Sequence, residues 1–521
     1  MQLEHTDQAR HAGQRLHHFH GGLHLRHHKK ISCETPLEKT PLPTRLYVPL
    51  LQQYGKEAEV TVTAGQKILK GDEIGCYGHL GNGGVHAPTS GVVKAVARRS
   101  ISHPSCEDGW CVVIEPDGLD EWKKLEPVTD WINANPALLR QKIRNSGIVG
   151  LGGAVFPTAY KIDDASSRRI ITLILNGAEC EPYISSDEML MREQPDSVVL
   201  GARILQRATG ATRTVIAIED QMGAVYQALK QSVESAGDDS IDIVKITTIY
   251  PEGGERQLIQ VLTGLEVPSG GKPSDLGMLC QNVATAAAVA QAVVEGKPLI
   301  ERIVTVTGNG IRQPRNLVAR IGTPISDLVE QCGGYATDVA RLVLGGPMMG
   351  YALNSDSNPV IKAANCILAL TEFDIQPPQV EMPCIRCGEC ARVCPVVLLP
   401  QQLDWLIRNE QWDDAADCGL ADCIECGCCD FVCPSHIPLV EWFRFGKSEL
   451  RSLQIERKQA ETAKHRYETR EARLLRSKED RRQQMVEKKQ ALRNEAQKQK
   501  KLAEAISRAS KDKNARQDKS E

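Results

Sequence analysis

The sequence predicts a multidomain α/β protein. In order it should hold an N-terminal β barrel-sandwich, a Rossmann-like α/β domain, a β-grasp module, an α-helical cysteine domain and a charged tail, helical or disordered. Three observations predict this. Residues 40–115 break into short apolar runs between glycine-rich turns. Residues 137–300 alternate apolar strands with helical patterns, and four cysteines recur at one spacing in Cys384–Pro395 and Cys423–Pro434. A chain of 521 residues has room for three or four domains of ~150 residues each. The changes of pattern place the boundaries at 1–30, 31–130, 131–300, 301–370, 371–446 and 447–521.

The first segment, 1–30, holds eight of the 13 histidines. No ligand spacing repeats among them, so a mobile polar leader is expected ahead of a metal-binding tract. In 31–130 the candidate strands are Leu46–Leu51, Glu59–Val62, Gly91–Val96 and Cys111–Ile114. The run VTAGQKILKGDEIG, followed by VHAPTSGVVKAV, resembles the flattened barrel of lipoyl and biotinyl carrier domains. A carrier lysine would sit on the hairpin CYGHLGNGG, which has none. A structural or docking barrel is therefore expected.

In 131–300, strands are expected at Arg169–Leu175, Thr214–Ile218 and Ile241–Ile249, and helices at Ser197–Arg207 and Gly223–Ser235. Alternation of this kind argues for a parallel sheet covered by helices. Glycine-rich turns stand at Gly147–Lys161 and Tyr250–Gln257. Glycines admit a phosphate to the backbone, and a helix N-terminus offers it free N–H groups. Neither turn has the G-x-G-x-x-G pattern, so ordinary turns stand beside phosphate binding as readings. Residues 301–350 read as strand, turn, helix, strand, which suggests a small β-grasp module of the soluble-ligand-binding type. Residues 371–381 form a proline-containing linker, and Gln401–Ala416 has helical periodicity.

The two cysteine runs are both C-x2-C-x2-C-x3-C-P, the bacterial ferredoxin signature. Three thiolates two residues apart wrap one corner of a cubane. The proline turns the fourth toward the other cluster. One [4Fe–4S] cluster is thus assigned to Cys384, Cys387, Cys390 and Cys433, the other to Cys423, Cys426, Cys429 and Cys394. A zinc site pairs two C-x2-C units and does not need the C-x3-C-P arm. Cys428 and Cys418 read as bystanders. Ten of the 18 cysteines are scattered singly, which suits a reducing compartment and no disulfide scaffold.

From Lys447 onward there are 23 Lys/Arg against 13 Asp/Glu, a net +10 within a chain whose net charge is −3. The tail holds neither glycine nor proline, and its leucines sustain no heptad. A solvated tail is expected, with attraction to anionic lipid headgroups or an acidic partner as the functional reading. Aromatic residues are 4% of the chain, and the basic residues are interleaved with acids. Both features argue against nucleic-acid binding. The N-terminus has no apolar core for a signal peptide, and no apolar run approaches the ~20 residues of a membrane span.

The motifs GGAVFPTAYK, NGAECEP, GGER and QNVAT, in that order and ahead of two clusters, resemble the flavin- and NADH-binding subunit of respiratory complex I and related diaphorases. That family has GxGGAGFPTGxKW, NxDESEP, GEET and NNVET. Here Ala178 replaces its aspartate and Gly254 a second acid, the C-terminal region holds two clusters, and a barrel precedes the flavin domain. These departures, with Phe19–Gly22 and TPLPTRLYVPLLQQYG, make the chain similar to the C subunit of the Rnf (Rsx) electron-transport complex over some 430 residues.

The resemblance implies an ion-translocating NADH:acceptor oxidoreductase linked to ferredoxin, with this chain as a peripheral subunit on the cytoplasmic face of the inner membrane. FMN would lie against Gly150, Gly152, Gly153, Lys161, Asn176, Gly253, Gln281, Asn282 and Thr285. Phe156 would stack near the flavin or nicotinamide ring. Glu179 and Glu181 would hydrogen-bond NADH, with Glu255 assisting. The partners would be integral and peripheral subunits of the same complex, which hold the chain to the membrane, and a ferredoxin-type electron carrier. A soluble diaphorase subunit and a non-catalytic iron–sulfur carrier are the alternatives.

Overall fold

The computed structural model describes residues 16–517 except 54, 56, 79–82 and 378. The chain divides into two units, 1–444 and 445–521.

Alternating burial builds the barrel-sandwich. Leu46–Pro49, Asp108–Pro116, Gly91–Ser100 and Lys67–Ile68 form an antiparallel four-stranded sheet. Glu59–Val60, Glu73–Cys76 and Val85–His86 form a second of three strands. Leu46, Val48, Ile74, Val85, Val93, Val112 and Ile114 share the core. The tip of the lysine-free hairpin lies outside the described residues.

The α/β domain has four parallel strands in the order Ile241–Ile246, Arg213–Glu219, Thr172–Gly177, Met278–Asn282. The first of the expected strands is shifted to Thr172–Gly177, and the third stops early at Ile246. The Ile171 amide leaves the ladder for the Gly277 carbonyl, and the chain after Ile246 is drawn to Leu23, which pairs with Tyr250. Helix Pro195–Thr209 buries Val198, Val199, Ala202 and Leu205, each larger side chain contributing roughly 1.5–3 kcal/mol. It crosses helix Val283–Ala290 so closely that a Cβ on Gly201 would lie 1.9 Å from the Ala286 carbonyl oxygen. Four helices of this domain escaped the expectation: Pro136–Asn145, Thr158–Ser166, Ser186–Glu193 and Val283–Ala290. The first carries a readable start signal, Asn135 capping the Ala137 amide with Pro136 at the first position.

The β-grasp region forms part of a six-stranded sheet: Glu38–Lys39, Arg315–Arg320, Glu301–Thr307, Cys366–Leu370, Arg341–Leu344, Tyr351–Ala352. Its edge strand comes from the other end of the chain, Glu38 and Lys39 pairing in parallel with Leu317 and Val318.

The expected leader needs correction. Residues 1–15 lie outside the described residues, but the rest is packed. His17 donates its amide to Val261, Phe19 packs on the α/β core, and Lys29, 5% exposed, ion-pairs with Glu219 at 3.3 Å. The periodicity at Gln401–Ala416 is also two helices, Pro400–Arg408 and Trp412–Asp417. Glu410, at φ +56, ends the first. The tail is helical in the second unit, where Leu439–Gln517 continues past residue 445, and its side chains are exposed over 454–511. The 73 residues from Phe445 to Gln517 extend ~110 Å at 1.5 Å each.

Lys362 ties three regions together. It is buried, donates from Nζ to the Gly147 carbonyl at 2.7 Å, and its amide bonds Gln52 Oε1 at 2.9 Å. Arg302 reaches its carbonyl. Burial pushes the Lys362 amine down to about 7. Between pH 7 and 10.5 the unfolded chain then binds more protons at this position than the folded one, so its contribution to stability rises with pH and is at its least below pH 7. Chemical denaturation across pH 7–10 is expected to show this slope in the wild type and a flatter one in Lys362→Met.

Candidate functional site

The sheet gathers one set of the expected residues at the carboxyl ends of its strands, where ligands bind in open α/β folds. Asn282 and Asn176 are register partners on adjacent strands. Asn282 caps helix Val283–Ala290, accepting from Ala284 N at 2.9 Å, and donates to Asp187 at 2.6 Å. Thr285 Oγ1 accepts from Leu151 N at 2.9 Å, which fastens the glycine turn to that helix. Asn176 donates to the Gly253 carbonyl at 2.8 Å. Gly150, Gly152, Gly153, Asn176, Gly253, Gln281, Asn282 and Thr285 thus surround one edge.

The two glycine loops differ in the room they leave. Gly153 has φ +109 with open space where a Cβ would stand. Gly253 tolerates no Cβ, since one would lie 2.6 Å from the Ala178 carbonyl oxygen. Phe156 is 40% exposed and meets Tyr160 edge-on at 5.8 Å. Lys161 pairs with Glu255 at 2.5 Å.

Glu179 and Glu181, the carboxylates expected to face NADH, also have partners within the protein. Glu179 accepts from Ser186 Oγ at 3.0 Å, Asp187 N at 3.1 Å and Glu188 N at 3.4 Å. It caps helix Ser186–Glu193 and is 8% exposed. Glu181 accepts from Met348 N at 3.1 Å and Met349 N at 2.7 Å, in the β-grasp turn. Burial raises its carboxyl to about 7 against the pull of those amides. Free helix-start and turn amides claim both carboxylates.

The eight signature thiols ring two cavities. One is lined by Cys384, Cys387, Cys390 and Cys433. The other is lined by Cys423, Cys426, Cys429 and Cys394. Among the described residues, no three His, Cys, Asp or Glu side chains converge on a single-ion site. The two runs fold alike. Arg386 and Glu425 both have φ +57, Gly388 and Gly427 have +80 and +78, and each run continues into a short helix. Cys428 is buried and also lines the second cavity, while Cys418 faces Gln402 at 3.8 Å.

Sequence reasoning missed Tyr250. Its hydroxyl donates to the Cys426 carbonyl at 2.6 Å. Leu23, Cys180, Met348, Cys426 and Cys428 pack around it. The second cavity therefore abuts the loop that carries Gly253. The neighbouring Glu252 was also missed. It is buried, and desolvation raises its carboxyl to about 8. Both residues belong to YPEGGER, where the glycines and Glu255 stand out in the bare sequence.

Comparison with known proteins gives three domain families. The RnfC Barrel sandwich hybrid domain matches residues 17–119, the Nuo51 FMN-binding domain 143–291 and the SLBB domain 303–352. The C subunit of the ion-translocating oxidoreductase complex of Pasteurella multocida is 43% identical over 86% of this chain and 53% of its own length. That of Yersinia pestis is 43% identical over 88% of this chain and 74% of its own length. The chain spans 53–60% of the first three relatives it matches. A solved NAD+-reducing [NiFe]-hydrogenase chain overlaps 58% of this chain and 61% of its own length at 18% identity, with a TM-score of 0.42, too distant to bear on function.

Proposed function

The chain belongs to the C-subunit family of the ion-translocating oxidoreductase complex, and on that footing we propose that it exchanges electrons between NADH, FMN and two [4Fe–4S] clusters. It relays them to or from other subunits of the same complex and, through that complex, a ferredoxin-type carrier. Those subunits hold it to the cytoplasmic face of the inner membrane. Among the described residues no helix is long and apolar enough to cross a membrane. The observation that carries the reading is the closeness of two sites: the glycine-lined strand ends and the second thiol cavity share the loop of Tyr250 and Gly253.

NADH gives two electrons as a hydride and a cluster takes one, so a bound flavin supplies the conversion from paired to single electrons. The chain's own residues do the rest. The glycine turn admits the ring, Asn176 and Asn282 fix the strand ends, and Phe156 offers an exposed face for stacking. Lys161 supplies a positive charge toward a phosphate or a reduced ring, once Glu255 releases or shares it. The eight thiols hold the clusters.

A second reading, an iron–sulfur relay without a nucleotide site, draws on the inward-turned Glu179 and Glu181. Anaerobic NADH titration of the reconstituted chain separates the two, with flavin absorbance, cluster EPR, iron and FMN all followed. About eight irons, one FMN and rapid bleaching are expected. Eight irons with no FMN and no response to NADH would establish the relay instead.

A further inference from the structure

Phe19-His20-Gly21-Gly22-Leu23 lies between the α/β domain and the cysteine region, and it touches both through backbone. On one side Leu23 and Tyr250 exchange amide hydrogen bonds at 2.7 and 2.9 Å. Phe19 is packed against the α/β core. On the other side the Gly22 amide donates to the Val393 carbonyl at 3.0 Å. His20 Nδ1 lies 2.9 Å from the Cys394 carbonyl oxygen. A carbonyl only accepts, so Nδ1 carries the hydrogen.

The two glycines are required by this position. Gly21 has φ +71, and its Cβ would lie 2.5 Å from both C and O of Val393. Gly22 has φ +84, and its Cβ would lie 2.8 Å from the Tyr250 carbonyl oxygen. No side chain fits at either position, because main chain stands in its way. Cys394 is the one thiol that the first run contributes to the second cavity. Tyr250 reaches the same cavity through Cys426.

We propose that Phe19–Leu23 is a docking strap. It seats the second thiol cavity against the Tyr250 loop, and His20 is its positioning residue toward Cys394. The inference rests on the cluster reading given above. An N–H dipole aimed at a ligand's carbonyl stabilises added negative charge on a cluster. Hydrogen bonding near the ligands is one of the levers on cluster potential. The strap therefore fixes both the separation of the two sites and the potential of the cluster nearer the flavin.

The test uses the full chain with reconstituted clusters. Gly21→Ala is followed by amide hydrogen exchange. Peptides covering 19–23 and 391–397 are expected to exchange about tenfold faster or more, while helix Pro136–Asn145 stays unchanged. His20→Phe is followed by EPR-monitored redox titration, with the two clusters assigned through Cys384→Ser and Cys423→Ser. The midpoint of the second-cavity cluster should fall and that of the first should stay. His20→Asn, which returns an N–H at the Nδ1 position, should restore it. Unchanged exchange in Gly21→Ala together with unmoved potentials in His20→Phe would overturn the strap. A wild-type chain that takes up no iron would overturn the cluster reading instead, and the exchange data would still report on the strap.

Discussion

Cys394→Ser is expected to remove the cluster of the second cavity and spare that of the first, although Cys394 belongs to the first run. Its thiol lines the cavity of Cys423, Cys426 and Cys429, while Cys433 of the second run lines the cavity of Cys384, Cys387 and Cys390. Iron should fall from about eight to about four per chain. Cys394→Ser and Cys426→Ser should leave the same EPR spectrum, and Cys433→Ser and Cys384→Ser should share the other. If Cys394→Ser instead matched Cys384→Ser, each run would hold its own cluster and the crossover would be wrong. Cys428→Ser serves as the neighbour control and should keep both clusters.

The second large effect is expected at Gly201. Gly201→Ala would put a Cβ 1.9 Å from the carbonyl oxygen and 2.3 Å from the carbonyl carbon of Ala286. Neither helix can yield locally, because both atoms are main chain. Overpacking of this kind costs ~3 kcal/mol or more, or about 6–12 °C in the midpoint of a domain of this size. Ala286 lies in helix Val283–Ala290, which Asn282 caps and which carries Thr285. Gly201→Ala should therefore weaken FMN retention along with stability, read by differential scanning fluorimetry and by FMN released on dialysis. Gly223, also in a helix but with open space at its Cβ position, is the control. Gly223→Ala should be neutral or slightly stabilising. Equal effects at both positions would mean that helix contact is not the cause.

What the sequence made legible was local. The period of Pro195–Thr209 and the apolar runs of Arg213–Glu219 and Asp108–Pro116 are properties of neighbouring residues, and so is the cysteine spacing. What stayed hidden depends on partners far along the chain. Glu181 reads as a nucleotide ligand because its motif points that way, yet the amides that occupy it belong to Met348 and Met349. Glu179 is nearer its donors, and the helix start it caps is marked by Ser185 with Asp187 and Glu188 in the first turn, but nothing local ties that start to Glu179. The strand Glu38–Lys39 is two residues long, too short for any alternation to show. Tyr250 reads as an ordinary aromatic until Cys426 and Leu23 are brought to it.

The N-terminal pairings also set a timetable for synthesis. Gly22 bonds Val393, Leu23 pairs with Tyr250, and Glu38–Lys39 pairs with Leu317–Val318. A ribosome adding ~5–20 residues per second leaves Gly22 waiting roughly 20 to 75 seconds for its partner. Until the α/β domain has emerged as far as Met278–Asn282, Phe19 and Leu23 are apolar groups with nowhere to go, open to wrong pairing or to a chaperone. Excising the α/β region at residue 131 is no remedy. It would strip Lys29 from the buried Glu219, leaving an acid that is 1% exposed without its cation. The practical unit of expression is the chain from before Phe19 through the second cysteine run.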